Sequence, residues 1–568
     1  MKNYQTLLLA ILGISIGFTS CKHASIHQYT FTKTVIEDSV MVVTAHPLAT
    51  KIGIEVLRDG GNAIDATIAV QFALAACYPV AGNIGGGGFM VYRNASGKST
   101  TLDFREKAPS AAYPDMYLDE NDNAISELSQ DGELAAGVPG SVDGMIQAYA
   151  KYSKLKDWKR LVQPAVEIAR KGFHLTGQQA GMLNWKKADF DKYNRAKTPF
   201  NNKEKYTKGD LLIQSELALT LEAIRDYGRD GFYSGWVADK IVEQMNRGNG
   251  IISKQDLIDY RAVWREPLKT GYRGHEIISM PPPSSGGVAL TQLLEMIEPY
   301  DIKKLGHHSA SSIHLMAEAE RRVYADRATH LGDSDYYDVP LKMLMDNEYI
   351  KERMIDFEPT QASVSDSIKS GQAKESMETT HFTIVDAEGN TVSLTTTING
   401  AYGAKTVVQG AGFLLNNEMD DFSAKPGVPN MFGLIGAEAN KIEPGKRMLS
   451  SMTPTIVLKD GKTLLTVGSP GGSKIITSVF QVIVNVIDYG MSATEAVSAP
   501  RFHHQWKPDI IKFEEIGFDQ KVIDSLKTMG HTVEKKGKIG KVECIYYNSE
   551  GMIEGAADNR GDDTVLGY

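Results

Sequence analysis

The sequence predicts a layered α/β protein, and three observations lead to this prediction. Residues 150–360 are rich in amphipathic helical runs, such as Leu217–Tyr227 and Ser311–Ala328. The last third of the chain contains paired apolar runs separated by turn residues, which are typical of β-hairpins. Hydrophobic residues make up 42% of the 568 positions and charged residues 23%, and this globular balance excludes wholesale disorder.

Residues 1–20 have the pattern of an export signal. Lys2 precedes a run of twelve apolar or small residues, Leu7–Phe18, which suits a signal peptide and is too short to span a bilayer comfortably. The run ends in Thr19-Ser20-Cys21, and a cysteine at this place looks like a bacterial lipoprotein cleavage site. We therefore expect a signal peptide over 1–20, a tether over 21–35 and export to the periplasm or to a membrane that holds lipidated Cys21. The alternative is ordinary secretion with an incidental cysteine.

The first part of the mature chain predicts strands and apolar helices. A short strand is expected over 41–44, and helices are expected over 48–58 and 63–76. A glycine-rich run, Gly85–Gly88, separates these helices from strands expected over 89–93 and 100–104. The run lacks the Lys-Ser/Thr and the spacing of nucleotide-binding loops, so nucleotide binding is not expected.

The last third predicts three hairpins and one apolar helix. The first hairpin runs over 382–385 and 391–397 around a turn at 386–390. The second runs over 456–458 and 463–467, and its Asp460-Gly461 pair is a strong two-residue turn signal. A third hairpin is expected over 544–547 and 552–555, and a helix over 475–489.

Charge and cysteine content narrow the possible functions. The formal charge of −9 argues against a nucleic-acid partner, and the single long apolar run excludes a multi-span membrane protein. Cys77 and Cys544 could pair in an oxidising compartment, but nothing in the sequence requires it. No metal-ligand spacing is present, and the adjacent His503 and His504 are expected to pack and hydrogen-bond. We therefore predict neither a metal nor a cofactor.

A threonine at the start of the first hairpin is a candidate nucleophile. Residues Glu378-Thr379-Thr380-His381 open this hairpin. A threonine hydroxyl is a poor nucleophile without a neighbouring base, and the only base that a threonine carries itself is its own α-amine. Thr379 has that amine free only if the peptide bond before it is cut. Taken alone, the segment is better explained as the ordinary start of a strand.

Polar clusters elsewhere would suit an amino-acid head group. Arg105 follows a predicted strand, and Ser450-Ser451 precede another; arginine with paired serines suits a carboxylate. Residues 416–422 concentrate acids and amides, which suit an ammonium group. Gly471-Gly472 precede a predicted helix, where backbone N–H groups could form an oxyanion hole, although such a turn is also common without one.

Together these segments resemble the γ-glutamyltranspeptidases, also called glutathione hydrolases. The resemblance extends from about Val42 to Tyr568. Each motif alone is weak, but all of them in this order are highly specific. The motifs are Asp59–Asp65, Ala81–Phe89, Asp103–Arg105, Met280–Gly287, Thr379–His381, Asn416–Phe422, Leu449–Met452, Gly468–Gly472 and Ala499–Gln505.

The resemblance implies an N-terminal-nucleophile hydrolase with an αββα sandwich. Its precursor would cut itself before Thr379 into a large subunit, residues 36–378, and a small catalytic subunit, residues 379–568, which remain together as a heterodimer. Carried over residue by residue, Thr379 is the nucleophile, Thr397 supports it, and Gly471 and Gly472 form the oxyanion hole. The residues that match the family's donor site are Arg105, Ser450 and Ser451 for the α-carboxylate and Asn399, Glu418 and Asp421 for the α-ammonium group.

Two positions distinguish this chain from some bacterial relatives. Glu418 stands where some of them have glutamine, and the extra negative charge should favour an ammonium group. Residues 425–436 resemble the bacterial lid loop, but Phe432 stands where a tyrosine often closes the gate. Phenylalanine lacks the hydroxyl that would bond to Asn399, so we expect looser gate closure and an altered ratio of hydrolysis to transfer.

The expected function is that of an exported γ-glutamyltransferase and glutathione hydrolase. Its donors would be glutathione and other γ-glutamyl compounds, and its acceptors would be water, amino acids or dipeptides. A second possibility keeps the fold but changes the substrate to a γ-linked polyglutamate or an acylated β-lactam; the expected lid argues against the polymer. A third is an inactive lipoprotein that binds amino acids, against which Thr379, Gly471 and Gly472 argue.

Overall fold

The computed structural model describes residues 29–368, 379–425, 430–431 and 436–568. The predicted signal peptide, Cys21, Glu378 and Phe432 lie outside the described residues. Within them, helices cover the outer faces of two stacked β-sheets. This arrangement confirms the predicted α/β class and the αββα order that the resemblance implied.

The strands of the described residues are short and are distributed over the whole chain. They are β1 (Thr34–Glu37), β2 (Met41–Thr44), β3 (Gly87–Arg93), β4 (Ser99–Asp103), β5 (Phe173–His174), β6 (Leu211–Leu212), β7 (Val263–Arg265), β8 (Leu268–Tyr272), β9 (His275–Ser279), β10 (Thr380–Val385), β11 (Thr391–Thr397), β12 (Thr455–Lys459), β13 (Lys462–Gly468), β14 (Phe502–His503), β15 (Ile511–Phe513), β16 (Val533–Lys535), β17 (Glu543–Tyr547), β18 (Ile553–Ala557) and β19 (Thr564–Gly567). Strand β1 begins within the last two residues of the predicted tether.

The α-helices of the described residues lie mostly between Pro47 and Glu352, as the sequence predicted. They are α1 (Pro47–Arg58), α2 (Ala63–Cys77), α3 (Ser126–Gln130), α4 (Ser141–Tyr152), α5 (Trp158–Lys171), α6 (Gly177–Tyr193), α7 (Ser215–Tyr227), α8 (Asp230–Tyr233), α9 (Trp236–Gly248), α10 (Lys254–Asp259), α11 (Gly286–Ile297), α12 (Ile302–Leu305), α13 (Ala310–His330), α14 (Leu341–Leu344), α15 (Asn347–Glu352), α16 (Lys474–Ile487), α17 (Ala493–Ser498) and α18 (Gln520–Thr528).

Strands from both sides of residue 379 build each of the two large sheets. The first sheet has the order β1-β18-β17-β13-β12-β9-β8, and the second has the order β19-β2-β10-β11-β3-β4-β7. All ladders in both sheets are antiparallel. Smaller sheets, β14-β15-β16 and β5-β6, lie outside this sandwich.

Apolar side chains fill the space between the sheets and the space under the helices. Val91 of the second sheet packs with Ile278 and Ile456 of the first, and each of them is fully buried. Helices α1, α2 and α4 cover the outer face of the second sheet, and α11, α16 and α17 cover that of the first. Burial on both faces stabilises the sandwich and fixes the register of its strands.

The hairpin β10–β11 lies at the centre of the second sheet and is confirmed close to its predicted bounds. Its register pairs Phe382 with Leu394 and Val385 with Thr391. Asp386 holds the turn, because its carboxylate accepts hydrogen bonds from the backbone N–H groups of Glu388 and Asn390 at 3.0 and 2.9 Å. The same carboxylate accepts from the N–H of Ala63 at 2.8 Å and so ties the hairpin to the first turn of α2.

The disulfide that Cys77 and Cys544 could form is not present in the structure. Cys77 and Cys544 are free and buried, in α2 and in β17 respectively. In the part of the chain that the structure describes, no helix combines the length and the apolar character needed to cross a bilayer.

Candidate active site

The residues predicted to form the site converge on one small cavity. Its lining comprises Arg105, Thr379, Thr397, Asn399, Glu418, Asp421, Ser450, Ser451, Met452, Gly472 and Ile475. Of the predicted site residues only Gly471 is absent from this lining, and it is the neighbour of Gly472. The volume of about 20 Å³ has room for about one water molecule.

Thr379 lies directly before the central strand β10 and is almost fully buried, with 4% of its surface exposed. Strand β10 pairs with β11 so that Thr380 faces Thr396. Continuing this antiparallel register by one residue places Thr397 opposite Thr379. The Thr397 hydroxyl oxygen accepts the backbone N–H of Asn399 at 2.7 Å, which holds the loop that follows β11.

The glycine-rich run Gly85–Gly88 permits close packing beside this strand end. A Cβ atom on Gly86 would lie 2.0 Å from the carbonyl oxygen of Thr397, and one on Gly88 would lie 2.4 Å from that of Thr395. Gly87 is equally confined, since a Cβ there would lie 2.5 Å from a carboxylate oxygen of Glu106. Because these residues have no side chains, the backbone of this run can lie close to the backbone of β11 at the cavity.

Gly471 and Gly472 form a turn that leads into α16. Their φ angles of 138° and 56° lie in the region that favours glycine. The carbonyl groups of both residues accept hydrogen bonds from the first N–H groups of α16, those of Lys474 and Ile475, at 3.1 and 3.2 Å. This geometry suits a turn whose own N–H groups face a ligand above a helix N-terminus.

A buried ion cluster forms one wall of the cavity. The Arg105 guanidinium is fully buried and pairs through Nη1 with Glu418 and through Nη2 with Asp421, the latter at 2.5 Å. A carboxylate oxygen of Glu106 lies 3.6 Å from Nη1. Arg105 thus has three acidic neighbours, and this excess of negative charge suits a cationic ligand group.

Burial shifts the protonation of this cluster. It raises the pKa of Glu106 to about 7 and those of Glu418 and Asp421 above their usual range, although Arg105 opposes each shift. Burial would also lower the pKa of Arg105, but the attraction of Glu418 and Asp421 outweighs it and raises that pKa. Arg105 therefore stays charged, while the three acids hold fewer than three negative charges near neutral pH.

Loops that carry amide and hydroxyl groups complete the cavity. Asn399 lies at a positive φ of 70°, and its amide Nδ2 donates to the carbonyl of Asn417 at 2.9 Å. Asn416 is fully buried; its amide donates to the carbonyls of Gly85 and Gly137, both at 2.8 Å, and so connects the site loop to the glycine-rich run. These contacts position the acids that follow along the chain.

The paired serines lie against a proline-serine loop. The backbone N–H of Ser450 donates to the carbonyl of Pro283 at 3.0 Å, and the carbonyl of Ser450 accepts the N–H of Ser285 at 2.8 Å. The Ser450 hydroxyl oxygen accepts the N–H of Met452 at 3.1 Å. The motif Met280–Gly287 thus supports the serine pair.

The adjacent histidines pack and hydrogen-bond as expected. The Nδ1 atom of His503 lies 2.9 Å from the Thr477 hydroxyl, and its Nε2 lies 2.8 Å from the side-chain oxygen of Gln505. The Nδ1 atom of His504 accepts the N–H of Trp506 at 3.0 Å. Burial lowers the pKa of His504 to about 4, so it is neutral at physiological pH.

Three neighbours of the site were missed by the sequence analysis. Glu106 belongs to the ion cluster, the Tyr324 hydroxyl donates to the carbonyl of Ser473 beside the glycine turn, and Arg327 donates to Ser451. Glu106 directly follows Arg105, so its position in the motif was a usable signal. Tyr324 and Arg327 lie on α13, which is buried on every side, so its residue pattern marks no face that points at the site.

Comparisons with known proteins agree with this geometry. The family model for gamma-glutamyltranspeptidase matches residues 49–568. The glutathione hydrolase proenzyme of Escherichia coli K12 is 45% identical over 533 residues, which are 93% of this chain and 92% of the relative.

Solved structures support the same relation. A cephalosporin acylase from Bacillus halodurans matches 96% of this chain and 98% of its own at a TM-score of 0.84, and its 24% identity speaks to the fold alone. A Helicobacter pylori gamma-glutamyltranspeptidase chain is 44% identical, and the match covers 61% of this chain and 97% of that one at a TM-score of 0.56. The family model, the high identity over nearly the whole chain and the convergence of the motifs on one cavity show that this protein is an enzyme of the γ-glutamyltranspeptidase family.

Proposed function

We propose that the protein is a self-cleaving γ-glutamyltransferase and glutathione hydrolase whose nucleophile is Thr379. It would transfer the γ-glutamyl group of glutathione and its conjugates to water, amino acids or peptides. The observation that carries this proposal is the meeting of Thr379, Gly472, Arg105 and the serine pair in one cavity. A nucleophile, an oxyanion site and a head-group site are the parts that acyl transfer from an amino acid requires.

Self-cleavage is the first step of the proposed function. The Thr379 hydroxyl would attack the carbonyl carbon of residue 378, and the amide nitrogen would leave with a proton, so that an ester replaces the peptide bond. Water would then hydrolyse the ester, which frees the carboxyl group of residue 378 and the α-amine of Thr379. The new α-amine is the base that a threonine nucleophile needs.

Donor binding follows from the charges at the cavity wall. A γ-glutamyl head group carries one carboxylate and one ammonium group. Its two charges can replace the internal ion pairs of Arg105, because the carboxylate can pair with the guanidinium and the ammonium group with the acids that this releases. The carboxylate would take the guanidinium and the hydroxyls of Ser450 and Ser451. The ammonium group would take Glu418, Asp421 and the side-chain oxygen of Asn399.

Acyl transfer would then proceed on Thr379. The α-amine takes the hydroxyl proton while the oxygen attacks the γ-carbonyl carbon, and the N–H groups of Gly471 and Gly472 bind the oxyanion. Thr397, opposite in the register, supports the nucleophile. The leaving amine departs with the proton, and water or an acceptor amine resolves the γ-glutamyl ester.

The nucleophile is tested by comparing two neighbouring threonines. Thr379→Ala should give one uncut chain without activity, because both cleavage and transfer lose their hydroxyl. Thr380→Ala is the matched control: its hydroxyl is buried and has no hydrogen-bond partner among the described residues, so this variant should still show two fragments on a denaturing gel. Two normal fragments from Thr379→Ala would contradict the proposal.

The substrate class is tested with a γ-glutamyl anilide, with and without a dipeptide acceptor. The proposed function predicts anilide cleavage in both cases and a γ-glutamyl dipeptide only when the acceptor is present. Cleavage of an acylated β-lactam or of poly-γ-glutamate without any anilide cleavage would favour the second substrate class instead.

We further propose that the enzyme is exported and anchored through lipidated Cys21. The supporting observation is the run Leu7–Phe18, which ends in Thr19-Ser20-Cys21. Several acyl chains anchor a protein stably, whereas one binds only marginally. Cys21→Ala should therefore move active enzyme from the membrane fraction to the soluble fraction. A wild-type enzyme that is already soluble and begins at another residue would contradict lipidation.

A further inference from the structure

Arg327 is a buried arginine directly behind the carboxylate side of the cavity. It lies in the last turn of α13 with 4% of its surface exposed. Its Nη2 donates to the hydroxyl oxygen of Ser451 at 3.1 Å, and its Nε donates to that of Ser285 at 2.9 Å. Ser451 lines the cavity, so Arg327 is one hydrogen bond away from a bound donor.

Arg327 differs from the other buried arginines of its helix in having no ion-pair partner. Arg321 pairs with Glu318 and Asp509, and Arg322 pairs with Glu318 and Asp356. Within the described residues, no carboxylate lies within salt-bridge distance of Arg327. Burial lowers its pKa to about 10, and the interactions with Tyr324 and with the more distant Asp421 offset only part of this effect.

The directions of the hydrogen bonds decide what Ser451 can bind. A guanidinium carries only donors, so the Ser451 oxygen must accept from Arg327 and keeps its own proton for another partner. Ser285 also accepts from Arg327 but gives its proton to the carbonyl of Ser450 at 2.6 Å. Ser450 accepts from the N–H of Met452, so its hydroxyl proton is available as well. Two hydroxyl protons at one cavity wall suit an anion.

The charge balance of the cavity points in the same direction. Arg105 alone faces Glu106, Glu418 and Asp421, so a single guanidinium would have to balance an incoming carboxylate as well as those of the three acids that remain ionised. A second buried cation on the serine side corrects this imbalance. A guanidinium without its own carboxylate can serve this purpose because the ligand supplies the missing anion.

We propose that Arg327 is a positioning residue for the donor α-carboxylate: it orients the Ser451 hydroxyl as a hydrogen-bond donor and adds the second positive charge of that subsite. This inference rests on the proposed function. Arg327 would act through Ser451 and through its field, without touching the donor. Its effect would therefore be confined to donors that carry an α-carboxylate.

The test compares two anilide donors that differ in this one group. One is γ-glutamyl-4-nitroanilide, and the other is 4-aminobutyryl-4-nitroanilide, which keeps the ammonium group and lacks the carboxylate. Arg327→Gln should raise KM for the γ-glutamyl donor about ten-fold or more, because the carboxylate loses a buried positive charge and a Ser451 hydroxyl held as a donor. Its kcat for this donor should change little, and its kcat/KM for the 4-aminobutyryl donor should stay as in wild type.

Two further variants keep the test decisive. Arg327→Lys retains the charge but not the paired donors, and it should raise KM for the γ-glutamyl donor above the wild-type value but by less than Arg327→Gln. If the glutamine variant fails to mature, the lysine variant tests the role alone, because its KM should still rise for the γ-glutamyl donor and not for the 4-aminobutyryl donor. Arg353→Gln is the control, because this half-buried arginine pairs with Asp326 away from the cavity. It should leave the preference between the two donors unchanged.

The outcomes separate this inference from the proposed function. An active wild type whose KM is insensitive to both Arg327 variants would overturn the role of Arg327 alone. Equal losses on both donors would do the same, because they would indicate a merely structural arginine. A wild type without γ-glutamyl anilide activity would overturn the proposed function, and this inference with it.

Discussion

At the scale of single residues, Arg105 is the group whose geometry most constrains the donor site. Its planar guanidinium reaches Glu418 with one nitrogen and Asp421 with another, while all three side chains are buried or nearly so. A lysine ammonium is a compact charge that cannot reproduce this fork. The same fork is what a donor carboxylate would use after the internal pairs open.

Arg105→Lys should therefore weaken donor binding without preventing maturation. We expect KM for a γ-glutamyl donor to rise about ten-fold or more, since a charge-assisted hydrogen bond contributes roughly 1.5–3 kcal/mol. Steady-state kinetics on the cleaved variant measure this change. Arg93→Lys, at the end of β3 and away from the cavity, is the control that should leave KM unchanged. A KM that Arg105→Lys does not alter would remove Arg105 from the site.

The sequence was sufficient to predict the residues of short motifs that line the cavity, but not Arg327, which lies behind it. Arg105, Thr379 and the serine pair stand in segments with a recognisable order. Arg327 can be identified only from the folded structure, in which the last turn of α13 lies behind Ser451. Such a contact depends on tertiary packing between residues 124 positions apart, which no local pattern records.

At the scale of elements, the turn of hairpin β10–β11 connects the second sheet to the helices that cover it. Asp386 closes the β10–β11 turn and accepts the N–H of Ala63 at the start of α2. Helix α2 is buried along its whole length and packs on β10 and β11. The position of the strand that begins after Thr379 is therefore linked to the position of this helix.

Asp386→Ala should lower the free energy of unfolding by about 2–3 kcal/mol, because it leaves buried N–H groups without their charged acceptor. Denaturant unfolding followed by circular dichroism measures the change. Glu550→Ala, at an exposed position in the turn between β17 and β18, is the control and should stay within about 0.5 kcal/mol of wild type. Equal free energies of unfolding for the Asp386 variant and wild type would show that these hydrogen bonds do not stabilise the protein.

The elements themselves differ in how well the sequence predicts them. The three hairpins were placed within about two residues because alternating apolar residues and turn residues mark both ends. Helix α2 shows almost no polar face, since all of its residues are buried, so its bounds were predicted from Asp65 near its start and Pro79 after its end. Paired residues of β12 and β9 are at least 176 positions apart, and no local pattern identifies such pairs.

At the scale of the whole molecule, the proposed cut before Thr379 divides the chain into two parts that share both large sheets. Both sheets contain strands from before and after residue 379, and the ladders β1–β18, β9–β12, β2–β10, β2–β19 and β3–β11 join the two sides. Neither side of the cut contains all the strands of either seven-stranded sheet. Each therefore depends on the other for its backbone hydrogen bonds.

The cleaved enzyme should consequently unfold in a single transition whose midpoint rises with protein concentration, because unfolding separates the two fragments, whereas the midpoint of the uncut chain should not depend on concentration. Differential scanning calorimetry of the cut wild type and of uncut Thr379→Ala tests this expectation, and both should show one peak. Two separated peaks that appear only after cleavage would mean that the fragments fold as independent units.

The small size of the cavity would determine which reaction of Thr379 comes first, the proposed self-cleavage or the reaction with a donor. A space of about 20 Å³ can hold the one water that ester hydrolysis consumes, but not a tripeptide. If Thr379 cuts its own chain as proposed, that reaction needs only the water that this space can hold and no glutathione from the surroundings. Maturation would then depend on folding alone and would occur once in each molecule. The rate of every later turnover would instead depend on the concentrations of donor and acceptor around the enzyme.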